Sequence, residues 1–282
     1  MRKTIYYEDE HNDEFSSAVI TPKKIDGGYR YIRNRFLSAF LYNVIARPLA
    51  YLYVKLRYRQ RSVGRKKLKE YKKTGYFVYG NHTQAGGDPI IPNVFLYPKN
   101  VYFIVHPNNV SMPVFGKVMP YLGALPLPDD MKAYRNFAAA ITQRISESSA
   151  VVIYPEAHIW PYYTKIRDFP DTSFSYPCKE NAPVFCFTNT YKKRKIFKRP
   201  RIITYIDGPF FPDNDLPSGK RAKALRDKVY LTMCERAKRS DCEYIRYIKK
   251  ENKNGGRKRI ERTAQKGVGF PYRRAEGKSK RM

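Results

Sequence analysis

The stretch Gly75-Tyr76-Phe77-Val78-Tyr79-Gly80-Asn81-His82-Thr83-Gln84-Ala85-Gly86-Gly87-Asp88-Pro89 decides the reading of the fold. Tyr76 to Tyr79 is a short uncharged apolar run, the signature of a buried strand. It passes directly into a segment whose two glycines and proline mark a loop. A strand that ends in a loop carrying both an imidazole and a carboxylate suits the carboxyl edge of a parallel sheet, where ligand crevices form.

Further strands are expected at Val101 to Val105, Ala150 to Tyr154, Pro183 to Thr188 and Ile202 to Ile206, with helices at Ile90 to Leu96, Met131 to Ser148 and Pro217 to Arg239. Alternating strands and helices argue an α/β fold with a mostly parallel central sheet flanked by helices. Upstream, Phe36, Leu37, Phe40, Leu41, Val44 and Ile45 recur at helical spacing, and Leu49, Leu52, Tyr53 and Leu56 resume after Arg47-Pro48. The uncharged stretch Phe36 to Ala46 reaches roughly 16 Å as a helix, short of a bilayer core of roughly 30 Å. The expectation is an N-terminal amphipathic, membrane-associating segment: two helices, broken at Arg47-Pro48, lying in the interface. The expected organisation is a polar arm over 1–34, these helices over 35–60, an α/β domain over 61–245 and a basic flexible tail over 246–282.

The chain has 282 residues, 55 Lys plus Arg against 25 Asp plus Glu, a net charge of +30, and 42% hydrophobic residues. That excludes a disordered chain, a collagen-like repeat and a small disulfide scaffold, and it calls for an anionic partner. Cys178, Cys186, Cys234 and Cys242 are spaced too widely for a zinc knuckle, so no metal site is expected. No secretory leader is expected, because the acidic cluster Glu8 to Glu14 precedes any apolar run.

The chemistry centres on His82. A neutral imidazole is a general base near physiological pH, and a carboxylate such as Asp88 on its other nitrogen fixes the tautomer. No Gly-x-Ser-x-Gly elbow supplies a protein nucleophile, so the substrate itself supplies the attacking group, for example a hydroxyl. Glu156 and His158 follow a neighbouring strand and are expected at the same sheet edge.

Asn81-His82 followed by Asp88, then Tyr154-Pro155-Glu156, resembles the glycerolipid acyltransferase family that includes the lysophosphatidic acid acyltransferases. Tyr121 to Pro126 with Gly123, and Ala182 to Phe185, resemble the second and fourth blocks of that family. The resemblance implies an O-acyltransferase of phospholipid biosynthesis. His82 deprotonates an acceptor hydroxyl, Asp88 orients His82, and the acyl group comes from acyl-CoA or acyl carrier protein. It assigns Asn81, Glu156 and Gly123 to substrate binding; where its acceptor-binding arginines are missing, Arg135, Lys132, Lys165 or Arg167 is the expected substitute, and His158 with Trp160 is expected to form a different acceptor pocket. It asks for no cofactor. The implied partners are a lipid acceptor, the acyl donor and an anionic membrane surface, at the cytoplasmic face of a membrane as a peripheral or monotopic protein. No specific nucleic acid is expected.

Three departures stand out. Five residues separate His82 from Asp88 where the family has four. Ala157, His158 and Ile159 replace the Gly-Thr-Arg of the third block, and Asp129 aligns with the arginine of the second. Two alternatives are a basic nucleic-acid-binding protein, suggested by the charge, and a non-catalytic relative that binds lipid or carrier protein, suggested by the departures.

Overall fold

A computed structural model describes residues 3–15, 21–31 and 35–250. Strands β1 (Lys3–Tyr7), β2 (Arg61–Val63), β3 (Tyr76–Gly80), β4 (Val101–Val105), β5 (Ala124–Pro126), β6 (Ala150–Ile153), β7 (Val184–Lys192), β8 (Arg201–Phe210) and β9 (Ile245–Lys249) alternate with the main helices. These are α1 (Phe36–Tyr58), α2 (Ile91–Phe95), α3 (Met131–Ser146) and α4 (Ser218–Ala237). Seven strands form one sheet in the order β2-β8-β7-β3-β6-β4-β5. Every neighbouring pair is parallel except the hairpin β7–β8. The α/β fold with a mostly parallel sheet is therefore the one the sequence calls for.

The central strands are buried on both faces, and alternate residues feed two cores. Tyr76, Val78 and Val152 pack with Tyr42, Val54 and Tyr58 of α1 and with Ile91 and Phe95 of α2. Phe77, Tyr79, Val151 and Ile153 pack with Phe137 and Ile141 of α3 and with Leu225, Val229 and Met233 of α4. This is the period-two pattern of a sheet covered on both sides. Asp130 starts α3 by accepting the Ala133 N–H at 2.7 Å.

Two boundaries differ from expectation. The helical segment does not break at Arg47-Pro48 but runs from Phe36 to Tyr58, 23 residues, about 34 Å at ~1.5 Å per residue. The turn before the proline, Leu41–Ala46, is π-helical, which makes room for a ring that an α-helical turn would reject. Arg47 donates to the Lys99 carbonyl and, at 2.7 Å, to Asn43 Oδ1, folding the one mid-helix charge onto the body of the protein. Ser38, Tyr42, Val54 and Tyr58 are buried along the docked side, while Phe36, Phe40, Val44, Leu49, Leu52 and Leu56 stand exposed.

The second difference concerns the ends. Lys3–Tyr7, expected in a polar arm, pairs in parallel with Ile245–Lys249, expected partly in the tail. A strand whose partner lies at the other end of the chain leaves no local hairpin signal. The rest of the expected tail, 251–282, lies outside the described residues.

Helix α4 and the segment before β3 are clamped to β8 by one carboxylate. Asp207 accepts a bidentate fork from Arg236, with both contacts at 2.7 Å, and a 2.7 Å bond from Lys67. Burial pushes the Asp207 carboxyl up, but its two cations outweigh this and hold it below the usual carboxylate range. The clamp therefore stabilises the fold above about pH 3.8 and fades as pH falls through the lower folded value. Asp207→Asn is expected to cost about 1–3 kcal/mol in urea unfolding at neutral pH. The gap to the unmodified chain should narrow in acid.

Candidate active site

Strands β3 and β6 are adjacent and parallel, with Tyr79 opposite Ile153. His82 and the Tyr154–Glu156 segment therefore emerge side by side at the carboxyl edge of the sheet. The two loops are laced together by main-chain bonds of 3.0 Å from the Trp160 N–H to the His82 carbonyl and from the Tyr162 N–H to the Thr83 carbonyl.

The longer His82–Asp88 spacing closes in a compact way. Residues 84–88 coil into a helical turn in which the Asp88 N–H bonds the Gln84 carbonyl at 2.8 Å. Neither Gly86 nor Gly87 takes a left-handed backbone. What Gly87 supplies is space, since a Cβ there would sit 2.9 Å from Gln84 Cβ and 3.3 Å from the Tyr58 ring. The turn delivers Asp88 Oδ2 to His82 Nδ1 at 2.8 Å, and the same oxygen accepts the Gln84 N–H at 2.8 Å. Tyr154 stacks on the imidazole, with centroids 4.4 Å apart and planes 17° apart, and its hydroxyl donates to the Asp88 carbonyl.

The Asp88 side chain is 1% exposed and that of His82 17%. Burial pushes the Asp88 carboxyl above its ordinary range, against the pull of the His82 ring and of the Gln84 and Thr83 main-chain N–H groups. An ionised carboxylate can only accept, so Nδ1 carries the proton and the Nε2 lone pair is left for an outside group. Among the described residues Nε2 has no hydrogen-bond partner, and the ring reaches solvent.

Glu156 lies behind this pair rather than in the open. Its carboxylate is fully buried against Arg167 Nη2 at 3.0 Å. Burial raises its pKa, while Arg167, the His82 ring and the His82 main-chain N–H pull it down. Glu156 thus ties the loop of His82 to Arg167, a residue eleven positions on. Arg167 in turn donates to the carbonyls of His158 and, at 3.2 Å, Glu10, and its guanidinium lies over Trp160.

The other residues expected to bind substrate have contacts of their own. Asn81 is buried and bonds the main chain of Asn189 on β7 from both ends of its amide, at 3.1 and 2.8 Å. Gly123 serves the backbone: it has φ +97°, and a Cβ would meet the Val101 carbonyl oxygen at 2.4 Å. Arg135 stands exposed on α3. His158 turns its Nδ1 toward Glu14, 3.8 Å away. Trp160, expected beside it in an acceptor pocket, is wholly buried among Tyr7, Phe15, Tyr163 and Tyr247.

Two contributors escaped the sequence reading, the Tyr154 stack and the Arg167 partner of Glu156. Tyr154 had a signal in its place immediately before Pro155-Glu156. Arg167, expected among the substitute cations for the acceptor, is instead buried on Glu156, a pairing set by the folding of a long loop. Among the described residues no group of three or more His, Cys, Asp or Glu is arranged to hold a metal ion.

Removing Arg167 leaves a buried carboxylate without its cation. Arg167→Met is expected to destabilise the chain by about 3–5 kcal/mol, and the added change Glu156→Gln should recover part of the loss. A double-mutant cycle in urea measures the coupling.

Residues 59–184, a little under half the chain, match the family model described as Acyltransferase. No curated protein matches the sequence at a significant level. Among solved structures, the fold is similar to that of the 1-acyl-sn-glycerophosphate (LPA) acyltransferase PlsC from Thermotoga maritima. The TM-score is 0.53 at 15% identity, covering 75% of this chain and 86% of that one. The matched segment holds His82, Asp88, Tyr154, Glu156 and Arg167. Residues 59–184 are therefore similar to an acyltransferase domain, and the chain shares its fold with a 1-acyl-sn-glycerophosphate acyltransferase.

Proposed function

We propose that the chain is a membrane-surface O-acyltransferase that moves a fatty acyl group from a thioester, acyl-CoA or acyl carrier protein, to a hydroxyl of a lysophospholipid or glycerolipid. The observation that carries this reading is the His82–Asp88 pair at the carboxyl edge of the sheet, with Nδ1 engaged and Nε2 without a hydrogen-bond partner among the described residues, inside the family-matched segment.

In this reading Nε2 of His82 takes the hydroxyl proton as the acceptor oxygen bonds to the thioester carbonyl carbon. The carbonyl π electrons move onto oxygen, giving a tetrahedral oxyanion. Its collapse re-forms the carbonyl and breaks the carbon–sulfur bond. The imidazolium returns its proton to the departing thiolate, so the products are ester and free thiol. Asp88 stabilises the imidazolium between the two transfers, and Tyr154 keeps the ring plane fixed. The thioester is already an activated acyl group, so the chemistry asks for no cofactor.

The membrane part of the proposal rests on α1. The helix is long enough to cross a bilayer, but it is docked along one side through Tyr42, Arg47, Val54 and Tyr58. A helix held in this way lies along the surface with its exposed leucines and phenylalanines in the acyl region. Tyr53 and Tyr58 at its end approach the Gly86-Gly87 turn, so the lipid-facing helix abuts the loop that holds Asp88. A lipid acceptor then needs only to rise from the interface to His82.

Acyl transfer to a panel of lysolipids in mixed micelles tests the reaction. His82→Ala and Asp88→Asn are each expected to lower kcat/KM by about 10²–10⁴-fold with the fold intact. The rate should also fall toward acid. Neutralising Asp88 removes support for the imidazolium, and its raised pKa places that loss above the usual carboxylate range. Full activity in His82→Ala would refute the assignment of the base.

A further inference from the structure

The hairpin that closes β7 and β8 has a composition that the fold does not explain. Lys192 pairs with Arg201 across its base, and the ten residues 192–201 hold seven Lys or Arg and no acid. Among the described residues only Lys192 of the seven makes an ion pair, with Asp241 at 3.0 Å. At the tip the basic residues flank an apolar pair, Ile196 and Phe197, which are 89% and 53% exposed. Cations without acidic partners around a solvent-exposed isoleucine and phenylalanine do nothing for the core, and they leave an apolar knob in a field of one sign.

The position of the tip is as informative as its composition. Strand β7 runs parallel to β3 with Phe187 opposite Gly80, so Thr188 to Lys192 extend past the end of β3. The hairpin therefore projects from the same edge as His82. It also meets the end of α1, where the Arg59 guanidinium lies 5.6 Å from the Phe197 ring centroid. Lys55, Arg57 and Arg61 surround that end. The exposed apolar residues of α1, Leu49, Leu52 and Leu56, thus lead toward the basic hairpin with its apolar tip.

We propose that residues 193–200 are a second membrane contact. Ile196 and Phe197 enter the headgroup boundary of an anionic leaflet, and Lys193, Lys195, Lys198 and Arg199 sit at the lipid phosphates. This rests on the reading of α1 as an interfacial helix. An anionic bilayer suits the surface better than nucleic acid does: bases stack on Phe197 but offer nothing to Ile196 or to the leucines of α1. A second contact beyond the end of α1 fixes the orientation of the sheet edge on the bilayer, which one helix alone does not.

The full chain with Phe197→Trp reports on the tip, because the chain's own single tryptophan, Trp160, is wholly buried. Vesicles of phosphatidylcholine mixed with phosphatidylglycerol are expected to shift the new emission to the blue, and acyl-brominated lipid to quench it. Pure phosphatidylcholine should do neither to the same extent. Changing Lys193, Lys195, Lys198 and Arg199 to Gln in that background should raise the lipid concentration for half-response by roughly tenfold or more. Co-sedimentation of the unmodified chain, with no change in emission from the Phe197→Trp variant, would overturn the hairpin contact and leave the α1 reading standing. Failure of the unmodified chain to co-sediment at all would overturn both. A response to polyuridylate in place of vesicles would overturn the lipid assignment.

Discussion

A carboxylate with almost no access to water is stable only when donors converge on it, and Asp88 is such a group. Its Oδ2 takes the His82 ring and the Gln84 N–H together. Most of what surrounds the site serves that arrangement. The 84–88 turn brings the acid back, the Tyr58 ring fills the space over Gly87, and the Tyr154 hydroxyl holds the Asp88 carbonyl. Were the acid exposed, its bond to the ring would be shared with water and the tautomer would be free to exchange.

The two carboxylates of the site have opposite surroundings and do different work. Asp88 sits against a titratable ring that reaches solvent, so its charge can support a proton that comes and goes. Glu156 sits in full burial against a cation that never gives up its charge, so its work is mechanical. The Arg167 side chain then reaches the Glu10 carbonyl, and Trp160 Nε1 donates to the Asp13 carbonyl at 2.9 Å. In this way the N-terminal strand and its following turn brace the loop after β6. Where the related family carries an arginine close behind the glutamate, this chain has Ile159, and a cation from farther along the loop, Arg167, sits on Glu156.

The parts of this structure legible in the sequence were those with local causes. Uncharged runs such as Tyr76 to Tyr79 and Ala150 to Ile153 declare buried strands because both faces are covered. His82 and Asp88 were legible because a loop histidine and a carboxylate within a few residues can meet without help from the rest of the fold. The unread parts depend on distant partners. Strands β1 and β9 identify each other only across the whole chain, and β2 and β5 are three residues long. Pro48 reads as a breaker, yet widening of the preceding turn absorbs it. Asn81 and Gly123 share motifs with the site, but the folded chain uses one as a cross-strand clasp and the other as a left-handed corner.

The central claim is that His82 holds its proton on Nδ1, facing Asp88, and keeps Nε2 free to accept one. Nitrogen-15 NMR of histidine-labelled protein at mildly alkaline pH tests it directly, with the His82 signals assigned by their loss in His82→Gln. The account predicts a protonated, hydrogen-bonded Nδ1 and an unprotonated Nε2. A His82 ring found protonated on Nε2, with Nδ1 bare against Asp88, would contradict it.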